Sequence, residues 1–522
     1  MSDSWRSIAA RKAAERDGRI PDGWRLQASQ IASCGKSVLD VKRFGILSDL
    51  ELEITSDYDA ASLLDDLATG KRRSVDIVTA FSKRAAIATQ LVNCCTELLF
   101  DDALARAQEL DDHFARTGET IGPLHGLPIS VKDCFKIKGY DASVGIANLC
   151  FKPATSNSAL VEQLYSLGAV IHVKTNVPLT MMALDSHNNV FGRTLNPANR
   201  ELTAGGSSGG EGSLIAMRGS ILGIGTDVGG SIRIPAACNG LWGIKPSHGR
   251  VPYAGQESGQ KPRSMADSAP EMYDIDVIAQ DWARQFPLNT GGRRLHVAKT
   301  LRASSQGIEV IEINASPILK RTLKTFNGIV SIDGANAWFD HLEQTGEPLS
   351  PWLQGRLTRR PGKSTDAVRE LQAQKSELQT EFLKVWQENG GYWLAHDTAK
   401  NKAGRTLDVL IMPVAPHPIL PIDRWNTVNY TASLNLLDLP TGLLPVRTTV
   451  REDLKGDVPS SAPLNAWDKV NREHWTKVDR NVYLGSPLSV QVITPRLMER
   501  KLIEAMADST ELWNPCDTRQ VR

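Results

Sequence analysis

The chain has 522 residues, and its 60 basic and 59 acidic side chains leave a formal net charge of +1. Hydrophobic residues make up 41% and charged residues 23%, the composition of a soluble globular chain long enough to bury a sizeable core. That balance excludes an electrostatic footing for nucleic acid or an anionic membrane, and no uninterrupted apolar run is long enough to span a bilayer.

In chain order, Trp5, Ile8, Ala9 and Lys12 predict a short amphipathic helix that ends before the Pro21-Asp22-Gly23 turn. Residues 1–55 are expected to form a helical arm packed on a core domain spanning 56–522. Ala103, Ala107, Leu110 and Phe114 recur at helical spacing and predict a helix over 101–116, stopped by Gly118. After the Gly122-Pro123 turn, Leu127, Ile129 and Val131 alternate with Pro128, Ser130 and Lys132. This is a short strand with Lys132 on its more polar face. A helix over 158–167 and a strand over 169–173 follow, an order that favours an α/β sheet with helices on its faces. Leu378, Phe382 and Val385 mark a helix over 372–389, and residues 408–413 read as another buried strand. Polar, Pro/Gly-rich stretches at 255–271, 345–365 and 452–475 read as surface excursions, because strand-like segments continue beyond each.

The N-terminal segment carries Asp3, Glu15 and Asp17 and lacks the apolar centre of a secretory signal, and Gln520-Val-Arg522 is neither a peroxisomal address nor a prenylation box. Seven cysteines at 34, 94, 95, 134, 150, 238 and 516 show no C-x-x-C spacing, which suits a reduced protein. A cytoplasmic location is the expectation.

The chemistry concentrates in a glycine-rich region, Ala204-Gly-Gly-Ser-Ser-Gly-Gly-Glu-Gly-Ser213 followed by Gly223-Ile-Gly-Thr-Asp-Val-Gly-Gly-Ser-Ile-Arg-Ile-Pro235. Glycines let backbone N–H groups crowd one point, as a developing oxyanion requires, and Ser231 closes such a turn. A flexible Gly/Ser loop is the bland alternative. A phosphate loop lacks its G-K-[ST] ending. Gly206-Ser-Ser-Gly-Gly210 satisfies the five-residue nucleophile-elbow pattern centred on Ser208, for which His417 and His474 are the available downstream bases; His248 is the histidine nearest in sequence to the two runs. Lysine is the other base on offer. An amine of ordinary pKa near 10.4 can accept a proton only where a dry site keeps it neutral, and Lys132 beside Val131 and Ile129 suits that; a solvated surface lysine is the alternative.

Three motifs in order, Gly126-Leu-Pro-Ile-Ser-Val-Lys-Asp133, Gly205-Gly-Ser-Ser-Gly-Gly-Glu211 and Gly225-Thr-Asp-Val-Gly-Gly-Ser-Ile-Arg-Ile-Pro235, closely resemble the amidase-signature family, particularly fungal acetamidases and fatty acid amide hydrolases. The likeness is dense over 120–250. It continues more thinly through Asp408–Pro413, Asn435–Pro440 and Tyr483–Gln491. It implies an α/β/α domain around a large mixed, twisted sheet. It also implies hydrolysis of a carboxylic amide to acid and amine without metal or organic cofactor, and no H-E-x-x-H or cysteine/histidine ligand cluster argues otherwise. By resemblance Lys132, Ser207 and Ser231 form the triad, with a cis 206–207 peptide. The N–H groups of Val228, Gly229, Gly230 and Ser231 match the oxyanion hole. Ser208 matches a supporting hydrogen-bonding residue, and Asp227 and Arg233 match scaffolding for the turn. Met181 and Met182 match the acyl-pocket wall, with ordinary core methionines as the alternative.

The expected partner is a small aliphatic, aryl or lactam amide, with a fatty amide second; no nucleic acid or transmembrane segment is expected, and a homodimer is an open alternative to a monomer. Rival readings from the same motifs are acyl transfer to an amine, a glutamyl-tRNA amidotransferase A subunit, and a weakened homologue kept as a binding scaffold. The last is motivated by departures from the family at 259–282 and a shortened segment near 300–307.

Overall fold

The computed structural model describes residues 4–257, 313–389, 407–424, 427–458, 460–463 and 466–513. The departures at 259–282 and 300–307 lie outside these residues, as does most of the polar stretch at 255–271.

Ten strands are described: β1 (Cys95–Leu98), β2 (Pro128–Lys132), β3 (Val170–Thr175), β4 (His187–Asn188), β5 (Gly192–Arg193), β6 (Leu222–Ile224), β7 (Gly243–Lys245), β8 (Leu410–Pro413), β9 (Thr441–Thr448) and β10 (Pro487–Ile493). They pair in the orders β1-β3-β2-β6 and β7-β9-β10-β8, with β4-β5 as a separate hairpin. The first set is mixed: β2 runs parallel to β3 and β6, while β1 is antiparallel to β3. The second set is antiparallel throughout. Helices cover these strands, giving the α/β class expected from the sequence.

Every residue of β2 and β3 is buried, the pattern of parallel strands covered on both faces. The strand Pro128–Lys132 and the helix Phe100–Thr117 fall where the periodicity predicts them. That helix buries Ala103, Ala107 and Leu110, carries Asp101 and Asp102 in its first turn against the positive end of its dipole, and stops at Gly118 with φ 73°. The helix over 372–389 proves longer, Thr365–Glu388, because Ser364 caps it through a hydrogen bond from the Ala367 N–H. The helix Ser74–Val92 has no counterpart in the predictions. It is buried on nearly every side, so its apolar residues form no single stripe to read.

The N-terminal helix is Trp5–Gly18, as expected, but a charge anchors it. Lys12 Nζ lies 2.6 Å from Glu97 Oε1 on β1, 2.8 Å from Asp141 Oδ2 and 3.1 Å from Glu15 Oε2.

The stretch at 345–365 runs mostly exposed, as a surface excursion does, and is tied down where Glu347, Ser350 and Leu353 are buried. Glu347 accepts from the Ala147 N–H at 2.8 Å and from Asn189 Nδ2 at 3.1 Å, and Leu353 joins the main core with Trp338 and Leu342. Polar composition hid two anchoring contacts. The stretch at 452–475 holds most of the helix Ala466–Lys477, whose His474 is buried.

Candidate active site

Two features of the first sheet position the site. Lys132 is the last residue of β2, and Thr226 follows the end of the parallel neighbour β6 by two residues. The site therefore opens beyond the carboxyl ends of parallel strands, where an α/β sheet leaves a crevice. Lys132 is fully buried. Its Nζ lies 2.7 Å from Ser207 Oγ and 2.7 Å from Thr226 Oγ1, and it makes no ion pair among the described residues. Burial lowers its pKa to about 8, against upward pulls from Cys134, Asp227 and Glu211.

Ser207 follows a cis peptide from Gly206. A Cβ on Gly206 would sit 2.7 Å from the Ala183 carbonyl oxygen, so only glycine lets this loop press against the 183–185 backbone. That segment continues the turn bearing Met181 and Met182, which are half-buried and pack against the main core. Ser208 stitches the two glycine-rich runs together: its N–H donates to the Ser231 carbonyl at 3.1 Å, and its Oγ accepts from the Thr226 N–H at 3.4 Å.

The 227–231 turn is built around one carboxylate. Asp227 accepts from the Gly230 N–H at 2.7 Å, the Ile232 N–H at 3.1 Å, and Arg233 Nε and Nη2 at 3.0 and 2.9 Å. Both charged side chains are shut away from water, at 1% and 0% exposure. Burial opposes ionisation of Asp227, but the Arg233 guanidinium outweighs it and holds the carboxyl well below the usual range. The rest of the chain then clamps the pair. Arg233 Nη1 donates to Gln491 on β10 at 2.8 Å, Nη2 donates to the Thr431 carbonyl at 3.1 Å, and Asn435 Nδ2 donates to the Asp227 carbonyl at 2.6 Å. Gly230 has φ 124°, and a Cβ there would lie 2.4 Å from Thr431 Oγ1.

The four expected oxyanion donors differ in their present partners. The Gly230 N–H is already committed to Asp227, whereas those of Val228, Gly229 and Ser231 have no acceptor among the described residues. Val228 is exposed, and Gly229 and Ser231 are half-buried.

The histidine-based elbow gains nothing from the fold. His417 and His474 line a separate cleft with Trp475, Tyr483 and Asp457, a lining that contains neither Ser208 nor Ser231. The His248 N–H donates to Asp438 at 2.8 Å. Sequence reasoning missed Thr226, although its place beside Asp227 in a glycine-rich turn was a usable signal. It also missed Glu211, Thr431 and the roles of Asn435 and Gln491, whose side chains reach the site only through tertiary packing.

The family model named Amidase matches residues 76–272 and 295–503. The chain belongs to the amidase family. It is 36% identical to a putative amidase, kk1C, of Curvularia clavata over 96% of both chains. It is 35% identical to the acetamidase of Emericella nidulans over 96% of this chain and 97% of the relative. Among solved structures, a fatty acid amide hydrolase superposes with a TM-score of 0.78 at 24% identity, covering 97% of this chain and 95% of the other. Amidase-fold membership and hydrolytic action on amides follow from these likenesses. Among the described residues of this amidase, no helix is long and apolar enough to cross a membrane.

Proposed function

We propose that this amidase cleaves small carboxylic amides through an acyl-serine intermediate, with Ser231 as nucleophile, Ser207 as proton bridge and Lys132 as base. The observation that carries the reading is the 2.7 Å approach of a buried lysine, unpaired with any carboxylate among the described residues, to Ser207 Oγ. An amine with its pKa lowered to about 8 has a free-base population near neutral pH that an exposed lysine lacks.

In this scheme Lys132 accepts the Ser207 hydroxyl proton as Ser207 accepts that of Ser231, and the Ser231 oxygen bonds to the amide carbon. The tetrahedral oxyanion is met by the N–H groups of Val228, Gly229 and Ser231. The ammonium of Lys132 then returns its proton through Ser207 to the departing nitrogen, and the carbon–nitrogen bond breaks. Water attacks the acyl-Ser231 ester by the same relay run again, releasing the acid. Asp227 and Arg233 hold the turn in the shape the donors need, and Thr226 fixes the lysine from its other side. Met181 and Met182, beside the Ser207 loop, are the proposed wall for the acyl group.

Short aliphatic amides are the proposed substrates. The Emericella relative is an acetamidase aligned over nearly the whole chain, whereas the fatty acid amide hydrolase likeness, at lower identity, bears on the fold alone. The test is a panel of acetamide, an aryl amide, a lactam and a long-chain fatty amide, with Ser231→Ala as control and a fluorophosphonate probe for Ser231. Turnover of acetamide and labelling at Ser231, both lost in Ser231→Ala, is the expected result. A folded protein that neither labels nor turns over any panel member overturns it.

A further inference from the structure

Glu211 lies behind the candidate base. It sits in the helix Gly209–Ala216 that begins just after Ser207, and only 4% of it is exposed. Its Oε2 accepts from Ser130 Oγ at 2.6 Å and its Oε1 accepts from Thr175 Oγ1 at 2.8 Å. Ser130 shares a face of β2 with Lys132, two residues on, and Thr175 is the register partner of Lys132 on β3. From β6, Gly223 presses so close that a Cβ would lie 2.1 Å from Glu211 Oε2. The carboxyl is thus held by three adjacent strands at the point where the amine emerges.

The other acids near Lys132 have their own partners. Asp227 is neutralised by Arg233. Asp133, the next residue in the chain, accepts from Thr96 Oγ1 at 2.6 Å, Ser143 Oγ at 3.0 Å and the Val144 N–H at 2.7 Å, with Lys174 at 3.6 Å. Cys134 is a buried thiol whose pKa burial raises to about 11, so it is uncharged at neutral pH. Glu211 is the buried acid here with hydroxyl partners and no ion pair among the described residues, and the positive group that acts on it is Lys132.

We infer that Glu211 is a positioning residue for the reaction: it orients Ser130 and Thr175 around Lys132 and supplies the unshared negative charge that decides how readily Lys132 gives up its proton. The inference rests on the reading of Lys132 as base. An ionised Glu211 favours the Lys132 ammonium, and a protonated one favours the free amine. The two groups therefore titrate as a pair. Burial raises the Glu211 carboxyl to about 7, where the pair changes state within the working pH range.

The test is the acid limb of kcat/KM for acetamide, which is uncharged throughout, measured beside the pH dependence of fluorophosphonate labelling at Ser231. Glu211→Gln removes the charge but keeps the shape, and is expected to move both limbs about 0.5–1 pH unit lower. Thr175→Val removes one donor to the carboxylate, makes it easier to protonate, and shifts the limbs the same way by less; it also serves if Glu211→Gln fails to fold. Folded variants with unshifted limbs, slowed equally at every pH, overturn the inference. A Lys132→Ala enzyme that keeps the parent rate removes the parent reading instead, so the two failures are distinguishable.

Discussion

Lys12 and Lys132 are buried equally well, at 2% and 0% exposure, and burial ends in opposite results. Lys12 is surrounded by Glu15, Glu97 and Asp141 within 3.1 Å. Desolvation pulls its pKa down, but Glu97 and Asp141 more than offset it and fix the amine as a cation. Lys132 has two hydroxyls within 2.7 Å and no ion pair among the described residues, so desolvation prevails. Burial does not make a lysine basic or acidic. The partners that come with it do, and carboxylates build an anchor where hydroxyls leave an amine that loses its proton more readily.

The largest effect that sharpens this contrast is on rate. Lys132→Ala is expected to lower kcat about 10³-fold at pH 7.5 while the circular dichroism spectrum is unchanged, and the parent rate should fall as pH drops through about 8. A parent profile flat between pH 6 and 9 breaks the assignment. Next is stability: Lys12→Met leaves the buried Asp141 carboxylate without its paired cation and Glu97 with only Arg19, at 3.3 Å. A loss of about 3–5 kcal/mol in urea unfolding is expected, with kcat per folded molecule retained. An unchanged midpoint would mean that Lys12 is no anchor. The smallest effect runs the other way. The folded pKa of Lys132 lies below the ordinary lysine value of about 10.5, so the unfolded chain binds that proton more tightly and stability rises as pH rises from about 8 to 10.5. Below about 8 the fold carries the full cost of a buried ammonium. Lys132→Met should therefore stabilise the inactive protein by about 2 kcal/mol at pH 7, with the gain gone above pH 11. Equal gains at both pH values would show that the lysine is not strained by burial.

Much of the candidate site was legible because its backbone demands are local. A turn that aims N–H groups at one point needs glycines in consecutive positions, and Gly225–Pro235 declares that without any neighbour. Lys132 was visible through the apolar alternation of its strand. The bond from the Gly230 N–H to Asp227 was not legible, because its acceptor is a side chain three residues away whose direction the composition of the turn does not state. The anchors of the 345–365 stretch were illegible for a related reason. Glu347 is polar in sequence and buried in space, and its two donors come from residues 147 and 189.

By itself the sequence determined the helix over 101–116, the strand ending at Lys132, the helix–strand pair over 158–173 and the glycine-built turns, all set by spacing along a few residues, while the choice of Lys132, Ser207 and Ser231 came from the likeness to a family. Only the tertiary structure decided that burial lowers the pKa of Lys132 and carboxylates raise that of Lys12, that Thr431, Asn435 and Gln491 brace the Asp227–Arg233 pair, and that Glu211 lies behind Lys132. Protonation depends on the charges and dipoles within a few ångströms, and those arrive from segments hundreds of residues apart.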